Sequence, residues 1–303
     1  NWHNTDFTTM RSAVCPTPST SGGSDCEKRM LFLLGKKNTT DPETDISGTQ
    51  RWSVNDVLHS SPVVITYRGF DTNGDGQFDK FFDKLIYGSN DGAVHMVNGD
   101  SGAEEWRFIP SDFWSTQQDL FTNAEGEHTY GLDVTPTIQV IDIEDNGSIE
   151  VGDGDKVRAF IASRRGGSGI YALDLTHDIP VSNETFAPRF LWRIRGGSGD
   201  FPRLGQSWSK PVLATVEIDT GTGIENREVL IFGGGYDAAL DNPGTYSVSD
   251  HAGVPFLGNA IYIVDPANGD LLLAISGSPG GADIVVPGMD YSIPSSVTAL
   301  DTD

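Results

Sequence analysis

The chain has 303 residues, with 20 Lys plus Arg against 43 Asp plus Glu and a formal net charge of −23. That balance makes nucleic acid and anionic membrane surfaces poor partners and cations good ones. The length can bury a sizeable core; 36 Gly, 16 Pro and the lack of long charged helical runs point to an all-β fold of many short strands and turns.

Residues 1–50 read as a polar, irregular N-terminal segment. It holds the two cysteines, Cys15 and Cys26, in a Pro/Ser/Gly-rich stretch. Their closeness favours a disulfide, and so an oxidising compartment, over two unrelated thiols. With no histidine nearby the pair makes a poor zinc site. The apolar run Met30–Leu34 is compatible with a strand or a short helix. No stretch approaches the roughly 18 apolar residues of a membrane span, so no membrane insertion is expected. No signal peptide opens the chain, and a start at Asn1 suggests a mature or excised fragment.

A repeat begins after residue 50. Pro62, Pro136 and Pro211 recur at intervals of 74 and 75 residues, each opening an apolar strand. Proline is tolerated there because the first residue of a strand loses no ladder bond. Second strands follow at Lys84–Tyr87, Val157–Ile161 and Val229–Phe232, each running into a glycine turn. Third strands end in Asn98, Asp174 and Asp265. Fourth strands carry Trp106 and Trp192, with Leu271–Ile275 in the third unit. A fourth unit starts near Ile293-Pro294. Four strands per repeat, with a tryptophan closing the sheet, predict a β-propeller over 51–303, with at least three blades and the start of a fourth. A β-sandwich is the alternative, but it gives no reason for recurrence every 75 residues or so. The third unit carries an insertion at about 236–257, read as an exposed loop.

Between the first two strands lies Asp71-Thr-Asn-Gly-Asp-Gly-Gln-Phe-Asp79. Asp71, Asn73, Asp75 and Asp79 put side-chain oxygens at positions 1, 3, 5 and 9, and Gln77 would add its backbone carbonyl. Gly76 permits the bend and Phe78 is expected to anchor the loop on the core. An EF-hand loop closes with Glu at position 12; here that residue is Phe82. A nine-residue Ca²⁺ loop therefore fits better, with an ion-free Asn/Asp/Gly turn as the alternative. The matching loop of unit two offers Asp142, Glu144, Asn146 and Glu150, with Asp153 or Asp155 able to close a second site. In unit three the ligand set is lost, and Asp301-Thr-Asp303 begins another such loop.

No catalytic constellation stands out. The six histidines lack metal spacing, and His95 falls on a predicted strand, where a packed or surface role is expected. No G-x-S-x-G elbow, P-loop or dinucleotide fingerprint is present. The expectation is a non-enzymatic protein.

The passage Leu85–Trp106 resembles the repeat of quinoprotein-type propellers. Val57–Val64, Tyr87–Gly92 with Val94-His95, Trp106–Pro110, Val134–Pro136, Gly169–Asp174 and Ile231–Tyr236 together resemble the PilC/PilY family of type IV pilus tip adhesins. The resemblance covers about 51–303 and implies a modified propeller whose nine-residue calcium loop maps onto Asp71, Asn73, Asp75, Gln77 and Asp79. It also implies an extracellular place at the cell surface or pilus tip, with minor pilins or a tip complex and a host or abiotic surface as partners. The implied role is attachment and Ca²⁺-dependent control of pilus extension and retraction. The family's adhesive N-terminal region has no counterpart here, and residues 1–50 match nothing in the pattern. A non-adhesive scaffold docking protein partners is the alternative. A quinone-dependent dehydrogenase shares the blade pattern but commonly needs adjacent cysteines, which Cys15 and Cys26 are not.

Overall fold

A computed structural model of the chain describes residues 12–15, 24–33, 35, 55–126, 128–178, 185–219, 223–241, 257–277 and 280–300. The fold is all-β, built as three antiparallel meanders. The first sheet runs β1 (Val63–Phe70), β2 (Lys80–Gly88), β3 (Val94–Asn98) and β4 (Glu104–Phe108), in that spatial order. The second runs β5 (Thr137–Ile141), β6 (Lys156–Ala162), β7 (Gly169–Asp174) and β8 (Arg189–Arg195). The third runs β9 (Val212–Asp219), β10 (Ile224–Gly233), β11 (Ala260–Val264) and β12 (Leu271–Ser276); a short β13 (Ile284–Val285) lies parallel beside β12. The strands are rich in Val, Ile, Phe and Tyr, which suit a pleated, buried surface.

The alternation along these strands sets the stack. Ile65, Tyr67, Ile86 and Met96 of the first sheet meet Val157, Ala159, Ile161 and Leu173 of the second in one buried cluster. The opposite face of the second sheet gives Phe160, Ala162, Ile170 and Trp192, which meet Leu230, Phe232, Tyr262 and Val264 of the third. Each such large side chain, fully buried, contributes about 1.5–3 kcal/mol. The middle sheet thus buries both faces, as a two-sheet sandwich could not. Trp192 secures the second seam: its indole N–H donates to the Pro266 carbonyl at 3.1 Å.

Three expectations need correction. Residues 24–33 form a helix, α1 (Ser24–Leu33), not irregular chain, and Met30–Leu33 is its last turn. Met30 and Leu33 pack with Val14, Ile109 and Trp114, and Cys15 and Cys26 form a disulfide beside them with Cα atoms 5.4 Å apart. The connection between the first two sheets contains a second helix, α2 (Thr116–Thr122), which the repeat pattern did not suggest. It meets α1 through an edge-to-face pair of Phe32 and Phe121, 5.6 Å apart. The stretch Ile293–Val297 forms no strand; Ile293 makes an isolated bridge to Gly235. Ile293 N–H donates to the Gly258 carbonyl and its own carbonyl accepts from Gly235, so the stretch lies against the third sheet. Residues 301–303, and 242–256 of the insertion, lie outside the described residues.

Candidate functional site

Antiparallel meanders put the β1–β2 and β5–β6 loops at one end of the stack. In the first, Asp71 organises the chain. Its Oδ1 accepts the amides of Gly74 and Asp75 at 2.6 and 3.2 Å, and its Oδ2 accepts that of Gly76 at 2.7 Å. Chiefly through the Gly76 amide, these bonds hold the Asp71 carboxyl below its ordinary range, although the side chain is exposed. Asn73 Oδ1 accepts from Asp75 N–H, and Asp75 Oδ1 from Gln77 N–H, both at 2.9 Å. Asp79 closes the loop on Thr72, accepting its amide at 3.0 Å and its hydroxyl at 2.8 Å.

The second loop repeats this wrap. Asp142 Oδ2 accepts Gly147 N–H at 2.8 Å, and Asn146 Oδ1 accepts Ser148 N–H at 2.8 Å. Positions 4 and 6 are left-handed in both: Gly74 and Gly76 at φ 78° and 86°, Asp145 and Gly147 at 52° and 75°. The closing residue differs. Asp155, which is buried, takes the amide of position 2, Ile143, at 2.9 Å, and that of Glu150 at 2.8 Å. Asp155 therefore fills the place that Asp79 fills in the first loop. Glu144 and Glu150 are instead drawn to Asn146 Nδ2, at 3.5 and 3.0 Å. Asp153 is exposed in a 3-10 turn, Val151–Asp153, away from that role.

The two loops touch. Gly69 N–H donates to the Gly147 carbonyl at 3.1 Å and Ile149 N–H to the Tyr67 carbonyl at 2.8 Å, so the second loop pairs along β1. Phe78 is not the core anchor expected of it. It is 49% exposed and lies across Gly69 and Gly147, 2.6 and 2.8 Å from where their Cβ atoms would stand. Its counterpart, Ile149, is the residue that enters the core.

The donors suit a hard cation, since every polar side chain of the first loop carries an oxygen. Among the described residues no three His, Cys, Asp or Glu side chains gather as a metal cluster. The carboxylates are held by their own amides and spaced along the wrap.

Two polar centres lie outside the loops; Asp133 was not singled out in the sequence, whereas His95 takes the packed place on a strand expected of it. Asp133 Oδ1 accepts the amides of Leu58, His59 and Ser60 at 3.2, 2.8 and 3.3 Å, and its Oδ2 lies 2.6 Å from His59 Nδ1. It pins the lead-in to β1 against that to β5. The second centre is His95, fully buried, with Nε2 2.8 Å from Ser89 Oγ and Nδ1 2.7 Å from Glu104 Oε2. The spacing matches a serine–histidine–acid relay, but the electrostatics oppose one. Burial alone would push the His95 pKa down, yet the bonds to Asp91 and Glu104 outweigh it and raise it. The fully buried Ser89 hydroxyl donates to Asp91 at 2.5 Å, so its proton is turned away from the ring. A hydroxyl that solvent does not reach, with its proton held by a carboxylate, belongs to a buried polar network.

Fold and loops define a class: a repeat-built all-β protein of stacked meander sheets carrying acidic, oxygen-rich hairpins. The chain is 26% identical over 259 residues to the type IV pilus biogenesis factor PilY1 of Pseudomonas aeruginosa (strain UCBPP-PA14), a match covering 79% of this chain and 20% of that protein. The chain thus spans about a fifth of the length of that relative. The resemblance read from the sequence and this relative point to the same, PilY1-type, protein. The crystal structure of the P. aeruginosa PilY1 C-terminal domain aligns with 66% of this chain and 31% of its own, at 24% identity and a TM-score of 0.38. No family model matches the chain.

Proposed function

We propose that this chain is the calcium-binding, propeller-forming part of a type IV pilus-associated protein, extracellular and non-enzymatic. It acts in surface attachment and in calcium-dependent control of pilus extension and retraction, with pilins or a tip complex as partners. The similarity to PilY1 supports the pilus association. Three sheets stacked in series, with the middle one buried on both faces, support a propeller. The observation that carries the calcium reading is the wrap shared by the two loops, with left-handed residues at positions 4 and 6 and an aspartate at position 1 holding the amide of position 6. Asp71, Asn73, Asp75, Asp79 and the Gln77 carbonyl would hold the ion in the first loop. Asp142, Glu144, Asn146 and Asp155 are the donors of the second. Bound Ca²⁺ supplies positive charge to a segment dense in carboxylates.

The test is a thermal melt in EDTA against excess Ca²⁺. An ion bound only by the folded state adds about 2.7 kcal/mol at a hundredfold excess over Kd. For a chain of this size that raises Tm by about 4 °C. Asp75→Ala should abolish the rise. Identical melts in EDTA and Ca²⁺ would sink the calcium reading and leave the pilus association standing.

A further inference from the structure

The end of the stack opposite the acidic loops carries a different surface. The β6–β7 turn brings Arg164 and Arg165 among rings from three neighbouring segments. The Arg165 guanidinium lies 5.3 Å from the Tyr130 ring and 5.4 Å from that of Trp208, and Arg164 lies 4.7 Å over Trp208. The row extends at both ends: His128 sits 4.6 Å from Tyr130, and Tyr236 sits 4.9 Å from Trp208. Two ring pairs with the guanidiniums between them lie across the lead-ins to β5 and β9 and the segment after β10.

The row is held by backbone. Arg164 N–H donates to the Ser207 carbonyl at 3.1 Å, and Ser207 N–H to the Gly167 carbonyl at 3.0 Å. Gln206 and Tyr236 exchange two amide bonds of 2.8 Å. Arg164 has φ 54°, in the left-handed region that a side chain of its size rarely adopts. Such strain persists where the surroundings impose it, and it gathers at binding sites.

Arg189, Arg193, Arg195 and Arg227 each pair with an aspartate. Arg158 and Arg203 are held by neutral oxygens, of Gln139 and of Gly280 and Asn259. Among the described residues, Arg164 and Arg165 have no carboxylate within ion-pair distance, and the buried Nε of Arg164 has no hydrogen-bond partner. The nearby acids are engaged elsewhere: Asp56 by Asn90 and His128, Asp241 by the Tyr236 hydroxyl. Arg165 Nη1 donates to the Tyr130 hydroxyl at 3.3 Å, which ties it to the row without neutralising it. Two guanidinium forks without a carboxylate partner on an aromatic row, in a chain of net charge −23, form a local anion site.

We propose that this row binds an acidic saccharide chain: the sugars pack against the partly exposed Tyr130, Trp208 and Tyr236, and a carboxylate takes the forks of Arg164 and Arg165. Two cations suit a ligand of sparse charge. A nucleic acid, charged at every nucleotide, would meet the surrounding acid. An acidic peptide would use the forks and leave the ring faces idle. The proposal is independent of the calcium reading.

Calorimetric titration with trigalacturonate at low salt tests it, with maltotriose, tetraglutamate and oligothymidylate as comparisons. Trigalacturonate should bind, more weakly as salt rises. Arg165→Gln, at an exposed position, and Arg164→Gly, which also relieves the strained φ, should each weaken it by about tenfold or more. Arg165→Gln should keep the parent's melting curve, and Arg164→Gly should keep a single cooperative transition. The proposal is overturned if trigalacturonate does not bind, if either folded variant binds it as the parent does, or if any comparison ligand binds as tightly.

Discussion

Asp133 offers a sharp test of how the first two sheets are joined. Replacing it by alanine removes the acceptor for three amides and the partner of His59. The three amides are not equal. Leu58 and His59 are exposed, so water can replace the lost acceptor, whereas Ser60 is buried at 7% exposure. A buried donor left unsatisfied costs about 1–3 kcal/mol, and losing hydrogen bonds to a charged acceptor adds about 1 kcal/mol. Asp133→Ala should therefore lower stability by about 2–4 kcal/mol. Asp133→Asn keeps Oδ1 as acceptor and gives up only the charge and the contact at Oδ2, so about 1 kcal/mol is expected. Urea denaturation measures both as a shift in midpoint at constant slope. Hydrogen exchange should place the lost protection in residues 57–62 and in the start of β5. Equal costs for the two variants, or an alanine variant within 0.5 kcal/mol of the parent, would refute the role given to this carboxylate.

Three further outcomes are expected. The raised pKa of His95 means that its ion pairs stabilise fully below the ordinary histidine value, with loss as pH rises through the raised one. Asp91, whose own burial opposes ionisation, is lowered by His95; its share is present above the ordinary aspartate value and fades as pH falls through the lowered one. His95→Gln should flatten the alkaline limb of a stability–pH curve, and an unchanged limb would contradict the raised pKa. Gly166→Ala should cost about 1–3 kcal/mol or more, because its Cβ would stand 2.2 Å from the Gly131 carbonyl oxygen, which is backbone and cannot yield. Gly152→Ala, with nothing within 4 Å, is the control and should stay within about 0.5 kcal/mol in the same chemical melt. Reducing Cys15–Cys26 should cost about 2–3 kcal/mol, seen as faster exchange in α1 with the sheets unchanged; faster exchange throughout β5–β8 would show that α1 supports more than its own seam.

The strands were legible because their signals are local and repeated. Pro62, Pro136 and Pro211 precede β1, β5 and β9, and the spacing of the tryptophans found β4 and β8. What was not legible depends on contacts between segments far apart in the chain. Nothing local distinguishes Asp133 from the other acids, and its role exists only because Leu58–Ser60, about 75 residues earlier, lies against it. The pairing of Arg165 with Tyr130 and Trp208 is hidden for the same reason. Helix α2 was missed because Thr116–Thr122 is short and polar, with Gln117 its buried residue; the Gln117 side-chain amide donates to the Asp91 carbonyl at 2.6 Å. Hydrophobic periodicity has nothing to register in such a segment.

The acidic loops show the same division between what spacing carries and what packing decides. Positions 1, 5 and 6 could be read directly, and in both loops they form the same wrap. The closing residue could not. Counting alone put Glu150 at position 9, but a glutamate at that point reaches Asn146, while Asp155 swings back onto Ile143 from beyond an intervening 3-10 turn. Phe78 and Ile149, both at position 8, divide their tasks because the second loop pairs along β1 and the first does not. Ile149 is thereby carried into the core, and Phe78 is left on the outside, covering Gly147. The two loops therefore share a wall. A change in the conformation of Asp71–Asp79 reaches the second loop through Phe78 and the Gly69–Gly147 hydrogen bond. Phe78→Ala should weaken that link without removing any oxygen donor. Hydrogen exchange in Asp142–Asp155 should then rise while the amides held by Asp71 keep their protection; equal change in both loops, or in neither, would show that the wall transmits nothing.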